Sequence, residues 1–354
     1  MATIYGERWK TIKSLSEGGQ SHIYVVNDIN ESNGNNYVLK RFKNIERLTR
    51  FKNEIDARLR LNLDYVPKII DYNYEKKEPY LVEEYFPAGD LTKNKNIFEQ
   101  SLEKTLEYFL QICEVIKSSH QSKPPVIHRD LKPGNILYSP KDDHIYITDF
   151  GICFIIDPEN EERFTLFDEQ VGSRDFIAPE LQRGKYDDID SRSDIYSLGK
   201  LLYWMLTNSI VFREDFRKPE YNMIETGGVQ YERVNRILDK MLTEEPNLRY
   251  PFVKDVISDV KLAIRLIKKD HHVINLRLEQ ICLYCGIGKY KRIGLYNPAS
   301  DGYNSGDIDS IRELGLNPRG QFKFHIFCCD HCGNIQIFRR DLGSKVWEEP
   351  NPGI

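Results

Sequence analysis

From residue 9 to residue 85 the apolar positions fall mostly in short runs of strand period. Thr11–Leu15 and His22–Asn27 flank a Glu-Gly-Gly turn and predict a β-hairpin. Tyr37–Phe42 and Tyr80–Tyr85 read as further strands. Between them, Leu48–Leu61 places apolar residues at Leu48, Phe51, Ile55 and Leu59, a helical stripe flanked by charge. After the turn at Pro87–Gly89 the period lengthens. Leu102–His120 is a predicted helix, with Leu106, Phe109, Leu110, Cys113, Ile116 and Lys117 at three-to-four spacing. Short strands at Ile136–Tyr138 and Ile145–Thr148 precede an acidic loop, Asp157–Glu169. Helical patterns return at Ser193–Leu206, Tyr231–Leu242 and Val253–Lys269, and a charged run, Lys268–His272, closes this half. Strands first and helices after predict two lobes meeting near residue 86. There is no internal repeat.

Composition narrows the class. A chain of 354 residues suggests two or three domains, at roughly 100–200 residues each. Its 50 Lys and Arg against 54 Asp and Glu, a net charge of −4, exclude a generally basic nucleic-acid coat. The start has no secretion-signal core, and no run reaches the ~18 apolar residues of a membrane span. The expectation is therefore a cytoplasmic chain without a membrane partner, its thiols reduced. The cysteines are unevenly spread. Cys113 and Cys153 stand far apart, while Cys282, Cys285, Cys328, Cys329 and Cys332 crowd into the last 73 residues.

The strongest chemical signal is the string His128-Arg129-Asp130-Leu131-Lys132-Pro133-Gly134-Asn135, followed by Asp149-Phe150-Gly151. Phosphoryl transfer needs a carboxylate for the attacking hydroxyl's proton, a cation near the transferred group and oxygen ligands for Mg²⁺. The two segments resemble the catalytic loop and metal-binding triplet of the eukaryotic-like Ser/Thr protein kinase family. That resemblance implies Asp130 as base, Lys132 as γ-phosphate cation, and Asn135 and Asp149 as Mg²⁺ ligands. It further implies that Lys40 contacts the α- and β-phosphates of ATP and pairs with Glu54. The loop from Leu15 to Ile23 looks like the nucleotide cover, keeping only Gly18 of its glycines, with Ser16 and Ser21 at the other two positions. By the same register, the Glu84 carbonyl and Phe86 amide bind adenine, Asp90 faces the ribose, and Leu15, Ile23, Val38 and Leu137 sandwich the base. The bland reading of those apolar residues as ordinary core holds alongside.

Further segments follow in the family's order. Gly172–Glu180 resembles the end of the activation segment, with Ser173 where a hydroxyl contacts the base and its lysine. Asp194 matches the aspartate that anchors the catalytic loop, and Arg249 the arginine paired with Glu180. Lys132 with Ser173 favours Ser or Thr acceptors. Thr165 is the sole Ser, Thr or Tyr between Gly151 and Gly172 and is the candidate autophosphorylation site. The carboxylates around it offer constitutive ordering as the alternative. Two departures belong together. Arg58 stands where the family usually has an apolar residue of the regulatory spine, and Glu83 falls at the gatekeeper position. A single buried charge is costly, so an Arg58–Glu83 pair is expected, a one-residue register slip being the competing reading.

The tail carries Cys282-Leu-Tyr-Cys285-Gly and Cys329-Asp-His-Cys332-Gly. Four such thiolates suit a closed, structural Zn²⁺ site. Flanking strands at Phe322–Phe327 and Asn334–Arg339 make the segment resemble a zinc ribbon with a long insertion. Its basic residues and interleaved aromatics fit either a nucleic-acid or protein contact or an ordinary solvated surface. The implied architecture is α+β: a bilobal protein kinase fold over 9–268 (β-rich N-lobe 9–85, helical C-lobe 87–268) plus a small β-rich zinc ribbon over 279–346. The implied activity is transfer of the ATP γ-phosphate to a protein substrate. A pseudokinase scaffold, or a nucleic-acid-binding ribbon regulated by the kinase domain, are the rival readings.

Overall fold

Alternation along the first strands builds one curled antiparallel sheet. Its strands are β1 (Ile4–Tyr5), β2 (Trp9–Glu17), β3 (Ser21–Asp28), β4 (Asn36–Phe42), β5 (Ile69–Asn73) and β6 (Tyr80–Glu84). They lie in the order β1-β2-β3-β4-β6-β5. The computed structural model describes residues 3–17, 21–31, 34–43, 48–61, 63–74, 77–150, 154–155, 175–182, 190–223, 231–278, 290–296, 324–329 and 335–339.

The sheet's two faces have different tasks. On one, Trp9, Val26, Leu39, Tyr80 and Val82 form a buried cluster with Tyr5. The other receives helix α1 (Leu48–Leu61), whose Phe51 and Ile55 pack on Leu81. Since successive strand residues alternate faces, Glu83 shares the α1 side with Leu81, and register places Val38 opposite Glu83 and Lys40 opposite Leu81. The expected helical stripe ended on Leu59. Leu59 is instead 49% exposed, and Arg58 is the residue buried there.

Helix α2 (Leu102–His120) opens the helical lobe, its N-cap Ser101 accepting from the Lys104 amide. The segment from His128 to Asn135 follows between β7 (Val126–Ile127) and the β8–β9 hairpin (Ile136–Ser139, His144–Ile147). β7 pairs with the short β10 (Phe154–Ile155), and α3 spans Pro179–Gln182. Helix α4 (Arg192–Thr207) is buried from Ser193 to Met205. Gly199 lets it approach the end of α5 (Glu232–Met241), since a Cβ there would lie 2.8 Å from Met241 Cβ. α6 runs Val253–Leu278, beyond the expected Lys269. The charged run contains neither Gly nor Pro, so nothing in it stops a helix.

By internal contacts the chain divides into two units, Met1–Lys261 and Leu262–Ile354. The second contains an antiparallel sheet of β11 (Tyr290–Tyr296), β12 (Phe324–Cys329) and β13 (Ile335–Arg339), with β12 central. Among the described residues, no helix is long and apolar enough to cross a membrane.

Candidate active site

The loop from His128 to Asn135 is anchored by one buried carboxylate. Asp194, near the start of α4, accepts the backbone N–H groups of His128 (2.8 Å) and Arg129 (2.8 Å). His120 Nε2, at the end of α2, donates to the same carboxylate at 2.7 Å. Burial alone would raise the Asp194 carboxyl, but the hydrogen bond and charge of His120, with the loop amides, hold it below the usual carboxylate range. Sequence reasoning found Asp194 and missed His120, which differs from other helix-end polar residues by nothing visible in the sequence.

His128 is buried and links the loop to the strand end beyond. Its Nδ1 lies 3.2 Å from the Asp130 amide, and its Nε2 lies 3.2 Å from the Thr148 carbonyl. The amide can only donate and the carbonyl only accept, so the neutral imidazole with hydrogen on Nε2 satisfies both. Arg129 and Asp149 both have left-handed backbone, with φ of 68° and 65°. Such conformations are costly for non-glycine residues and concentrate at functional sites.

Asp130 is the centre of a short polar network. Lys132 Nζ donates to its Oδ2 at 2.6 Å, and Asn135 Nδ2 to the same oxygen at 2.9 Å and to the Asp130 carbonyl at 2.7 Å. Those two bonds occupy the Asn135 amide hydrogens and leave its carbonyl oxygen as the group that could meet a cation. The Thr148 amide donates to the main-chain carbonyl of Asn135 at 2.9 Å, which puts Asn135 opposite the residue that precedes Asp149. An amide oxygen beside a carboxylate is a hard-oxygen donor set that fits Mg²⁺.

From the sheet, Lys40 on β4 reaches the same strand end. Its ammonium donates to Thr148 Oγ1 at 3.2 Å and lies 2.9 Å from Glu83 Oε1. Glu83 Oε2 in turn lies 2.5 Å from Arg58 Nη1, and Arg58 Nη2 donates to the Pro67 carbonyl. Burial would raise the Glu83 carboxyl, yet the charge of Lys40 and then that of Arg58 keep it below its usual range. Glu54 lies in α1, but its side chain is outside the described residues. The Lys40–Glu83 contact was not foreseen. Its signal was the strand register, which puts Lys40 and Glu83 on one face.

The linker between the lobes is stitched to β8. Leu91 donates to the Ile136 carbonyl at 2.8 Å, Tyr138 to the Gly89 carbonyl at 3.0 Å, and Asp90 bridges Leu137. Asp90 Oδ1 accepts from the amide and hydroxyl of Thr92. The Glu84 carboxylate accepts the Lys68 amide at 2.9 Å, and Phe86 packs against Tyr146. Of the expected adenine contacts, Val38 is buried, Ile23 and Leu137 are half-buried, and Leu15 is exposed. Farther down, Glu180 takes both terminal nitrogens of Arg249, at 2.7 and 2.9 Å, and the Ser193 hydroxyl at 2.8 Å.

Asp130, Lys132 and Asn135 thus form one hydrogen-bonded group, and Lys40 reaches Thr148, the residue before Asp149. The family model of the protein kinase domain matches residues 9–272. The chain belongs to the protein kinase family. The chain is 28% identical over 285 residues to a probable serine/threonine-protein kinase of Clostridium perfringens, covering 76% of this chain and 40% of that protein. A probable serine/threonine-protein kinase of Clostridium acetobutylicum is 30% identical over 273 residues, covering 73% and 40%. Serine/threonine-protein kinase PrkC of Bacillus subtilis is 27% identical over 275 residues, covering 72% and 40%. The chain therefore spans about 40% of the length of these relatives.

Gly18, Thr165, Ser173, Cys282, Cys285 and Cys332 lie outside the described residues. Cys329 is described and buried, as the last residue of β12. Among the described residues, no group of three or more His, Cys, Asp or Glu could hold a metal.

Proposed function

We propose that this chain is an ATP-dependent Ser/Thr protein kinase, with the kinase domain over 9–268 and a structural zinc ribbon over 279–346. The observation that carries the reading is the hydrogen-bonded group of Asp130, Lys132 and Asn135, with Lys40 tied to Thr148 just before Asp149. In the reaction, a substrate hydroxyl oxygen bonds to the γ-phosphorus while the bond to the β–γ bridging oxygen breaks, and ADP leaves. Asp130 orients the hydroxyl and takes its proton. Lys132, already 2.6 Å from that carboxylate, supplies positive charge where the transferred group passes. Lys40 holds the α- and β-phosphates. Asn135 and Asp149 would hold Mg²⁺, which neutralises charge on the phosphate oxygens when bound. Val38, Ile23, Leu15 and Leu137 would bracket adenine, with the Glu84 carbonyl and Phe86 amide reading its edge.

The ribbon reading is supported by chain geometry. Cys329 pairs in register with Tyr290, which follows Cys285 by five residues, and the second knuckle is the connection between β12 and β13. At ~3.3 Å per extended residue, the first knuckle can reach Cys329. Thiolate ligands need a reducing compartment, and the cytoplasm is the proposed location. Its role is recruitment of a protein substrate or regulation of the kinase domain. Incubation with Mg-ATP, followed by intact mass and phosphosite mapping, tests the reading. Wild type should gain phosphoryl groups on itself or on a generic protein acceptor, and Asp130→Asn should not. Nucleotide binding with no transfer would make the chain a scaffold instead.

A further inference from the structure

Three side chains from three elements form a chain of alternating charge: Arg58 of α1 and Glu83 of β6, both buried, and the half-buried Lys40 of β4. Arg58 and Glu83 are 5% and 3% exposed. Each oxygen of the Glu83 carboxylate meets a different cation, Arg58 on one side and Lys40 on the other. Three cross-linked charges in one place are more than packing needs. An apolar pair at positions 58 and 83 would fill the same space without burying charge, and such replacements are often neutral or stabilising. The ion pair Arg58–Glu83 is therefore weak evidence for stability. What an apolar pair would lose is the second contact of Glu83, the one to Lys40.

That contact has a direction. Lys40 also donates to Thr148 Oγ1, one residue before Asp149, so the ammonium is fixed between Glu83 and the entrance of the metal-binding triplet. Arg58 holds the carboxylate's other oxygen and is itself tied to the Pro67 carbonyl, just before β5. The Glu83 carboxylate thus cannot turn away from Lys40 without breaking its bond to Arg58.

We infer that Glu83 is a positioning residue for Lys40, clamped by Arg58, and that this relay sets the affinity of the site for nucleotide phosphates. The inference rests on the reading of Lys40 as a phosphate contact, and it adds a second acid to the Glu54 that the family resemblance implies. The relay also joins α1 to the nucleotide lysine, so displacement of that helix would be felt at the phosphates.

The test uses the full chain with Arg58→Met/Glu83→Leu, which removes both partners together, and Glu83→Gln, which keeps shape and a carbonyl acceptor but drops the charge. Five quantities are read: the melting temperature, the Kd for ATP, the KM and kcat of transfer, and the rate of Lys40 acetylation by an N-hydroxysuccinimide ester without nucleotide. The double variant should melt near wild type, with Kd and KM raised about tenfold, the scale of one lost charge-assisted hydrogen bond. Lys40 should acetylate severalfold faster in both variants, because the carboxylate no longer holds its ammonium. Unchanged Kd and unchanged acetylation in a folded double variant would overturn the inference and leave a purely structural pair. If wild type binds ATP and transfers nothing, the kinase reading fails while Kd and acetylation still decide the relay. If wild type binds no ATP, acetylation alone decides whether Glu83 holds Lys40, and the affinity role is refuted.

Discussion

Glu180→Gln should cost the kinase domain much more stability than the loss of an ordinary hydrogen bond. Arg249 has no exposed side-chain surface, and Glu180 retains 5%. The substitution leaves a buried guanidinium facing a neutral amide, and breaking a buried pair on one side typically costs about 3–5 kcal/mol. Structure places the value in that range's lower part. Three carbonyls, of Thr243, Arg192 and Glu244, still accept from Arg249, so coulombic compensation is lost but most of its hydrogen bonds are not. For a domain of this size, 1 kcal/mol shifts Tm by roughly 2–4 °C, so a loss of about 3 kcal/mol predicts a drop of about 6–12 °C. Thermal unfolding followed by circular dichroism reads it. The apolar double variant Glu180→Leu/Arg249→Met should lose less than the sum of its single variants, because it strands neither charge. A Glu180→Gln variant melting within about 2 °C of wild type, well inside the sensitivity assumed here, would refute the reasoning. So would strict additivity in the double variant.

Gly199→Ala should destabilise by about 1–3 kcal/mol through overpacking, because its Cβ would sit 2.8 Å from Met241 Cβ, an atom that cannot swing aside. Urea titration reads this as a lower midpoint with unchanged slope. Asp194→Asn should reduce phosphate transfer more than about tenfold, since an amide cannot accept both loop N–H groups as well as a carboxylate does. The Asp194 carboxyl lies below its ordinary value of 3.8, so its contribution to stability is complete above that pH and is lost as pH falls through the lower folded value. Acid titration of Tm should show this loss in wild type and a shallower one in Asp194→Asn. Zinc analysis of protein purified without added metal should give about one Zn²⁺ per chain. Cys329→Ser should abolish it and lower the melting transition of the C-terminal unit, and full retention of zinc would count against the four-thiolate site.

Much of the fold was legible because periodic signals coincide with burial. α2 and α4 lie within a residue of their predicted bounds, and the β3–β4–β6 core follows the alternation. β5 was not seen, and its residues explain why. Ile69, Asp71 and Asn73 are its half-buried side, while Ile70 and Tyr72 are exposed, so polarity is inverted relative to the usual strand. Asp71 faces inward because it accepts from Trp9 Nε1 at 2.6 Å and from the Tyr80 hydroxyl. The two-residue strands β1, β7 and β10 are too short to carry any period. On α1 the apolar pattern pointed to Leu59, but the inward position belongs to Arg58, whose partner lies 25 residues away on β6. Local periodicity cannot register a charge neutralised by a distant strand. The hydrogen-bonded group of Asp130, Lys132 and Asn135 was easier, since the three lie within six residues and their spacing survives in sequence. Thr148, His120 and the Lys40–Glu83 contact depend on which strands and helices meet, which only the folded chain displays.

Phosphate transfer to serine and threonine is the activity proposed for Asp130 and its neighbours. Its most direct test is the initial rate of label transfer from γ-labelled Mg-ATP to peptide mixtures, each offering a single Ser, Thr or Tyr, for wild type and Asp130→Asn. Wild type should label the Ser and Thr mixtures, and the variant should lose at least about a hundredfold of that rate, the scale of a missing general base. Equal rates for wild type and Asp130→Asn, or label confined to Tyr, would contradict the account.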